Sequence, residues 1–139
     1  MRVVLDTNIL ISAIGKTSPL RPIWTSFLFG KYELLLSDEV AYEYEEILQA
    51  RSAPGASNLV MKILIEARNV IHKHIYYSWN AIKKDPDDNK FFDLAIAGHA
   101  DYLVTNDRHF NILKQLAFPQ VKVLNAIEFL AILSTVENQ

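Results

Sequence analysis

The chain has 139 residues, 50% of them hydrophobic and 22% charged, a globular composition that excludes intrinsic disorder. It contains no Cys, which excludes disulfides and thiolate metal sites and fits a reducing, cytoplasmic setting. A formal net charge of −2 excludes a broad basic platform for nucleic acid, but not a nuclease, because a cluster of ligand carboxylates is itself acidic.

Residues 2–6 read as a buried strand, an apolar run that stops on Asp6. That stretch is too short for a secretory signal, and no apolar run approaches the roughly 20 residues of a membrane span. Residues 8–14 read as a short helix closing at Gly15, with Asn8 as its cap. Pro19 and Pro22 bracket the start of a helix that ends near Gly30. Tyr32 to Leu36 is a second strand, and Ser37 or Asp38 caps a helix running to about Arg51. The break at 52–57 is a loop between helices, followed by a helix at 58–69. Val70 to Tyr76 alternates as an edge strand. Asp85-Pro86-Asp87-Asp88 is a turn into a helix at 88–99. A strand at 102–105, a helix at 108–116, a strand at 121–124 and a helix at 125–135 complete the chain. Strands alternating with helices predict a three-layer, doubly wound α/β fold in one domain over 1–139: a mainly parallel sheet with helices on both faces.

Such a sheet builds its site where strands deliver residues at their carboxyl ends. Asp6 ends the first strand; Asp107 follows the strand at 102–105, with Thr105 and Asn106 beside it to orient its carboxylate. The helix at 38–51 offers several acids, and geometry chooses among them. Its apolar stripe is Val40, Tyr44, Ile47 and Leu48. Glu43 lies roughly 85° from the stripe's centre, Glu45 about 115°, Glu39 about 125° and Glu46 about 145°. Glu43 is therefore the acid nearest the core boundary. In the helix at 88–99 the stripe is Phe92, Ala95, Ile96 and His99, with Asp88 roughly 30° from its centre and Asp93 about 110° away. Asp88 also opens that helix, beside the sheet's carboxyl edge. Asp6, Glu43, Asp88 and Asp107 thus converge on one edge, where they would repel one another unless a cation neutralised them. Carboxylate oxygens suit Mg²⁺ or Mn²⁺, with Asp6, Asp88 and Asp107 the expected metal ligands.

The other polar residues read as surface or packing. Lys83-Lys84 with Lys90, and Arg108 with Lys114, are solvated basic groups. His72 and His74 lie away from the acidic edge, His99 is a core histidine, and His109 stands near Asp107, within reach of a phosphate. With only 4 Gly there is no Gly-rich phosphate loop. The apolar helices around 23–29 and 127–133 offer more surface than one sheet face covers, which predicts a homodimer.

These motifs resemble the PIN-domain family, small ribonuclease-like proteins that include many bacterial toxins of toxin–antitoxin pairs. The resemblance spans essentially the whole chain. It is carried by Val4-Leu5-Asp6-Thr7-Asn8, Glu43-Tyr44-Glu45-Glu46-Ile47-Leu48, Asp85-Pro86-Asp87-Asp88-Asn89-Lys90-Phe91 and Ala100-Asp101-Tyr102-Leu103-Val104-Thr105-Asn106-Asp107. It implies Mg²⁺- or Mn²⁺-dependent phosphodiester cleavage with RNA as substrate, catalytic roles for Asp6, Glu43, Asp88 and Asp107, and an antitoxin protein as partner. Some relatives carry the third acid in an Asp-x-x-Ile-Ala pattern, which fits Asp93 here. The helix-face argument favours Asp88 and the sequence leaves the choice open. A non-catalytic PIN-like binding module is the alternative. An aspartyl phosphotransfer enzyme would want a second acid where Asn8 stands. A receiver domain would want a lysine ending the last strand, whereas Lys122 precedes Val123 inside it.

Overall fold

The computed structural model describes residues 1–137. Its centre is β1 (Arg2–Leu5), whose Val3 and Val4 are both 0% exposed. Neighbouring residues of a strand point to opposite faces, so both faces of the sheet are covered. The other strands are β2 (Glu33–Leu36), β3 (Val70–His72), β4 (Tyr102–Val104) and β5 (Lys122–Leu124), all parallel in the order β3-β2-β1-β4-β5. The helices are α1 (Thr7–Ile14), α2 (Arg21–Leu28), α3 (Asp38–Arg51), α4 (Ala56–Glu66), α5 (Asn89–Ala97) and α6 (Ala126–Glu137). This is the expected doubly wound α/β architecture, with the sheet wholly parallel.

Strand order reverses at β1. The chain adds β2 and β3 on one side, then crosses to add β4 and β5 on the other. Leu5 is in register with Val104, and the Asp6 N–H donates to the Val104 carbonyl at 2.9 Å. Asp6 and the segment after β4 therefore emerge side by side at the switch point, where such sheets leave a crevice. Gly98 brings α5 down onto the sheet at its far end: a Cβ there would stand 2.6 Å from Leu35 Cδ2.

Several elements differ from the sequence reading. The strand expected over 70–76 stops at His72, although exposure keeps alternating from His72 to Tyr76. Its partner runs out: Leu36 pairs with His72, the Lys73 N–H makes the last bond to the Leu36 carbonyl, and β2 then turns into α3. The helix expected over 88–99 begins as a 3-10 turn (Pro86–Asp88) and ends at Ala97. His99 lies beyond it, exposed, at φ 54°, and is not a core residue. The helix at 108–116 is a 3-10 helix (Arg108–Gln115). Its buried residues Phe110 and Leu113 are three apart, the spacing that lines up on a three-residue turn.

The apolar residues from which a homodimer was expected are divided between the core and the surface. Ile23, Phe27, Phe129 and Leu133 are buried, and the ring of Tyr32 meets that of Phe129 edge-on at 5.3 Å. What remains exposed is Leu28, Phe29 and Ile127. Among the described residues no helix is long and apolar enough to cross a membrane.

The start of α3 fixes the placement of Glu43, and Ser37 fixes that start. The Ser37 hydroxyl accepts from the Val40 N–H at 3.2 Å in a buried cap. Ser37→Ala should cost about 1 kcal/mol. A melt followed by circular dichroism should show a fall of roughly 3–5 °C; an unchanged melt would mean that another group takes over the cap.

Candidate active site

Asp6 is delivered by the apolar strand before it and is only 6% exposed. It occupies the N-cap position of α1, but its side chain makes no capping bond. Instead Asp6 Oδ2 accepts from the Thr105 hydroxyl at 2.7 Å. The same Thr105 oxygen accepts from the Asp107 N–H at 3.0 Å, so one buried hydroxyl fixes both acids. Asp107 caps the 3-10 helix, its Oδ1 accepting from the His109 N–H at 2.9 Å.

Glu43 approaches from α3. Its neighbour Tyr44 is fully buried and donates its hydroxyl hydrogen to the Leu5 carbonyl, which pins α3 to the end of β1. Half-buried Glu43 then reaches the edge with both oxygens engaged: Oε1 lies 2.9 Å from Lys90 Nζ, and Oε2 accepts from the Thr7 hydroxyl. Glu39, Glu45 and Glu46 are exposed, in line with the helix-face argument.

Asp88 stands at the N-cap position of α5 and also makes no capping bond. Its Oδ2 is buried and has no hydrogen-bond partner among the described residues. Burial pushes the Asp88 carboxyl up to about 7, and Asp85, Asp107, Asp6 and Glu43 add to the rise. Burial likewise raises the Asp6 carboxyl, against the Thr105 hydroxyl and the Thr7 N–H, while Glu43 and Asp107 raise it further. The four acids therefore act on one another electrostatically. Burial disfavours the Lys90 ammonium, yet the bond to Glu43 outweighs it and holds the ammonium protonated beyond its ordinary range. Lys90 thus offsets Glu43 from within the chain, whereas among the described residues Asp6, Asp88 and Asp107 have no lysine or arginine partner.

Beside them, ligand atoms of Asp85, Asp88 and His109 lie within 4.8 Å of one another. His109 Nδ1 is 4.0 Å from Asp85 Oδ2 and 3.5 Å from Asp107 Oδ1. The donor set is oxygen-rich with one imidazole, and it contains a buried oxygen that nothing satisfies. A hard divalent cation fits such a set.

Asp93 does not join the group. It is 7% exposed, more buried than Asp88 and so the reverse of the helical-wheel ranking, because the segment 73–82 covers it. Asp93 Oδ1 accepts from the Trp79 N–H at 3.1 Å, and the only charge that raises its carboxyl, after burial, is Glu39. Asn8 is not the cap of α1. It is the helix's second residue and accepts from Arg51 Nη1 at 3.3 Å, while the Asp6 carbonyl takes the first helical N–H groups. Asn106 does not orient Asp107; its Oδ1 accepts from the Ala126 N–H at the start of α6. That start also carries a reciprocal cap between Asn125 and Glu128.

Lys90, Thr7, Asp85 and His109 join the group without having been singled out as site residues. For Lys90 a signal existed. A lysine in the first turn of a helix opposes the helix dipole, which invites the question of what acid compensates it.

A family model described as PIN domain matches residues 2–109. No curated protein matches the chain by sequence. Solved structures do match. VapBC2 from Rickettsia felis, bound to a DNA fragment from their promoter, is 19% identical over 90% of this chain and 98% of that one, with a TM-score of 0.62. VapBC-1 from nontypeable Haemophilus influenzae is 19% identical over 91% and 99%, at 0.59. FitAcB from Neisseria gonorrhoeae is 14% identical over 90% and 98%, at 0.57. At these identities the likeness is one of fold.

Proposed function

We propose that this chain, which belongs to the PIN-domain family, is a metal-dependent endoribonuclease acting in the cytoplasm. The observation that carries the reading is the buried, unpartnered Asp88 Oδ2 among acids that raise its carboxyl. An oxygen in that state wants a proton or a cation. Asp6, Asp88 and Asp107 would hold Mg²⁺ or Mn²⁺, with Asp85 and His109, whose ligand atoms lie within 4.8 Å of each other and of that of Asp88, as the further donors beside them. When bound, the ion supplies charge against the phosphate oxygens and lowers the pKa of water.

The remaining roles belong to the chain itself. Thr105 orients Asp6 and ties it to the Asp107 backbone. Lys90 holds Glu43 through Oε1, and Glu43 Oε2, which accepts from the Thr7 hydroxyl, is the atom placed to take a proton from an attacking water. No side chain needs to become a covalent nucleophile. The likeness to VapBC and FitAcB, with the toxins that the family includes, supports an antitoxin protein as partner.

The test is cleavage of a mixed single-stranded RNA pool with Mn²⁺, against an EDTA control. Cleavage that persists in EDTA sinks the metal-nuclease reading. A binding module would show no cleavage and no metal-dependent change in melting. Thr105→Val removes the shared hydroxyl while keeping the shape, and should lower activity about 10–100-fold. Full activity in a folded Thr105→Val protein would remove the orienting role.

A further inference from the structure

A second feature adjoins the acids. A cavity of ≈ 600 Å³ lies between the segment before the 3-10 turn and the 3-10 helix at 108–115. Lys83, Lys84 and Arg108 line it, with His109 at one side and Ala81 and Ile112 among its apolar lining. No carboxylate lines it, although acids outnumber bases 16 to 14 in the chain. Lys83, Lys84 and Arg108 are exposed and make no ion pair among the described residues. A second cleft differs: it sets Glu39, Asp87 and Asp93 against the single Lys90. A polyanion beside the acids would therefore be repelled by that cleft and attracted by this one.

The backbone that carries the cations is also tied to its neighbours. The Asn89 side chain donates to the Ile82 carbonyl at 3.0 Å and accepts from the Ile82 N–H at 2.8 Å, which fixes the backbone just before Lys83. Arg108 follows the capping Asp107 directly, and Lys84 directly precedes Asp85. His109 belongs to both features: it lines the groove and lies beside Asp85 and Asp107.

The geometry points to this groove as the track for single-stranded RNA next to the cleaved phosphodiester. Lys83, Lys84 and Arg108 hold backbone phosphates, and the exposed Ile112 offers an apolar seat for a base. The inference rests on the nuclease reading for the position of the cleaved bond. The groove's own chemistry, three cations with no ion pair and no acidic lining among the described residues, stands apart from it.

The probe is a fluorescein-labelled single-stranded RNA of about ten nucleotides, bound to the whole chain in EDTA and followed by anisotropy across a salt series. Each phosphate that a variant no longer neutralises lowers the slope of log K against log salt by about 0.7 for single strands. The Lys83→Ala/Lys84→Ala double variant should therefore lose about 1.4 in slope and bind roughly tenfold more weakly near 0.1 M salt. Arg108→Ala should lose about 0.7, and Lys62→Ala, on the remote α4, nothing. An unchanged slope in the double variant overturns the proposal, as does an unaltered protein that binds no RNA. An oligo-glutamate peptide that binds where RNA does not would assign the groove to an acidic protein segment and overturn it too. The same proteins are then assayed with Mn²⁺. Normal cleavage at low RNA by the groove variants sinks the groove alone. Absent cleavage in every protein, with the slope change intact, sinks the nuclease reading and leaves the groove.

Discussion

Asp6→Asn is expected to lower Mn²⁺-dependent RNA cleavage by about 10³-fold, the equivalent of roughly 4 kcal/mol of transition-state stabilisation. Folding should survive. Asn keeps an oxygen to accept the Thr105 hydroxyl, and the substitution relieves both the burial of a charge and its repulsion with Glu43 and Asp107. Glu43→Gln should match it in activity but not in stability. Lys90, with 17% of its side chain exposed, would keep its charge without its partner, at a cost of about 1–2 kcal/mol. Glu46→Gln should do nothing in either assay, because Glu46 faces solvent. Rates for all three, with melts in EDTA, test the set. Equal activity in the Glu43 and Glu46 variants would sink the assignment of Glu43, and an inactive but destabilised Asp6→Asn would shift its role from chemistry to structure.

That contrast shows what could be read from the sequence. Asp6 and Asp107 were legible because an apolar strand that stops on an acid has few explanations in a parallel sheet, and β1 and β4 do lie side by side. Glu43 was legible because α3 is a regular helix with a continuous apolar stripe, so angle alone separates it from Glu39, Glu45 and Glu46. Lys90 was legible only as a lysine in a helix's first turn that wants an acid; which acid depends on how close α3 comes to α5, and no local pattern encodes that approach. Asp93 was misplaced on the wheel for a similar reason. The segment 73–82 that covers it has no secondary structure to announce it, and β3 is short only because β2 ends first. The wheel of α5 also includes His99, which lies past the helix end at a positive φ. Local periodicity locates residues within an element; the burial and partners that decide their chemistry come from neighbouring elements.

Without metal, the protein should be more stable at pH 5 than at pH 8. The Asp88 carboxyl is pushed up to about 7 in the folded chain from its ordinary 3.8, and Asp6 is raised in the same sense. Between those values the folded state holds a proton that the unfolded state has released. Stability from these groups is thus fully present below about pH 4, falls as pH rises and is gone above about pH 7. The groups that face Asp88 set this balance: Asp85, Asp107, Asp6 and Glu43 raise it, with the Lys90 ammonium and the His109 imidazole nearby. Mn²⁺ should reverse the trend, because it binds the deprotonated acids. At a hundred times its dissociation constant it adds about 2.7 kcal/mol, or roughly 8 °C of melting temperature, at pH 8. At pH 5 protons compete and the gain should shrink to a small fraction of that. Asp88→Asn, which cannot titrate and is a poorer ligand, should flatten the metal-free pH profile and abolish most of the Mn²⁺ shift. Melts with EDTA and with Mn²⁺ at both pH values, for the unaltered protein and Asp88→Asn, decide it. A Mn²⁺ shift of the same size at pH 5 and pH 8, or one that Asp88→Asn retains in full, would remove Asp88 from the metal site.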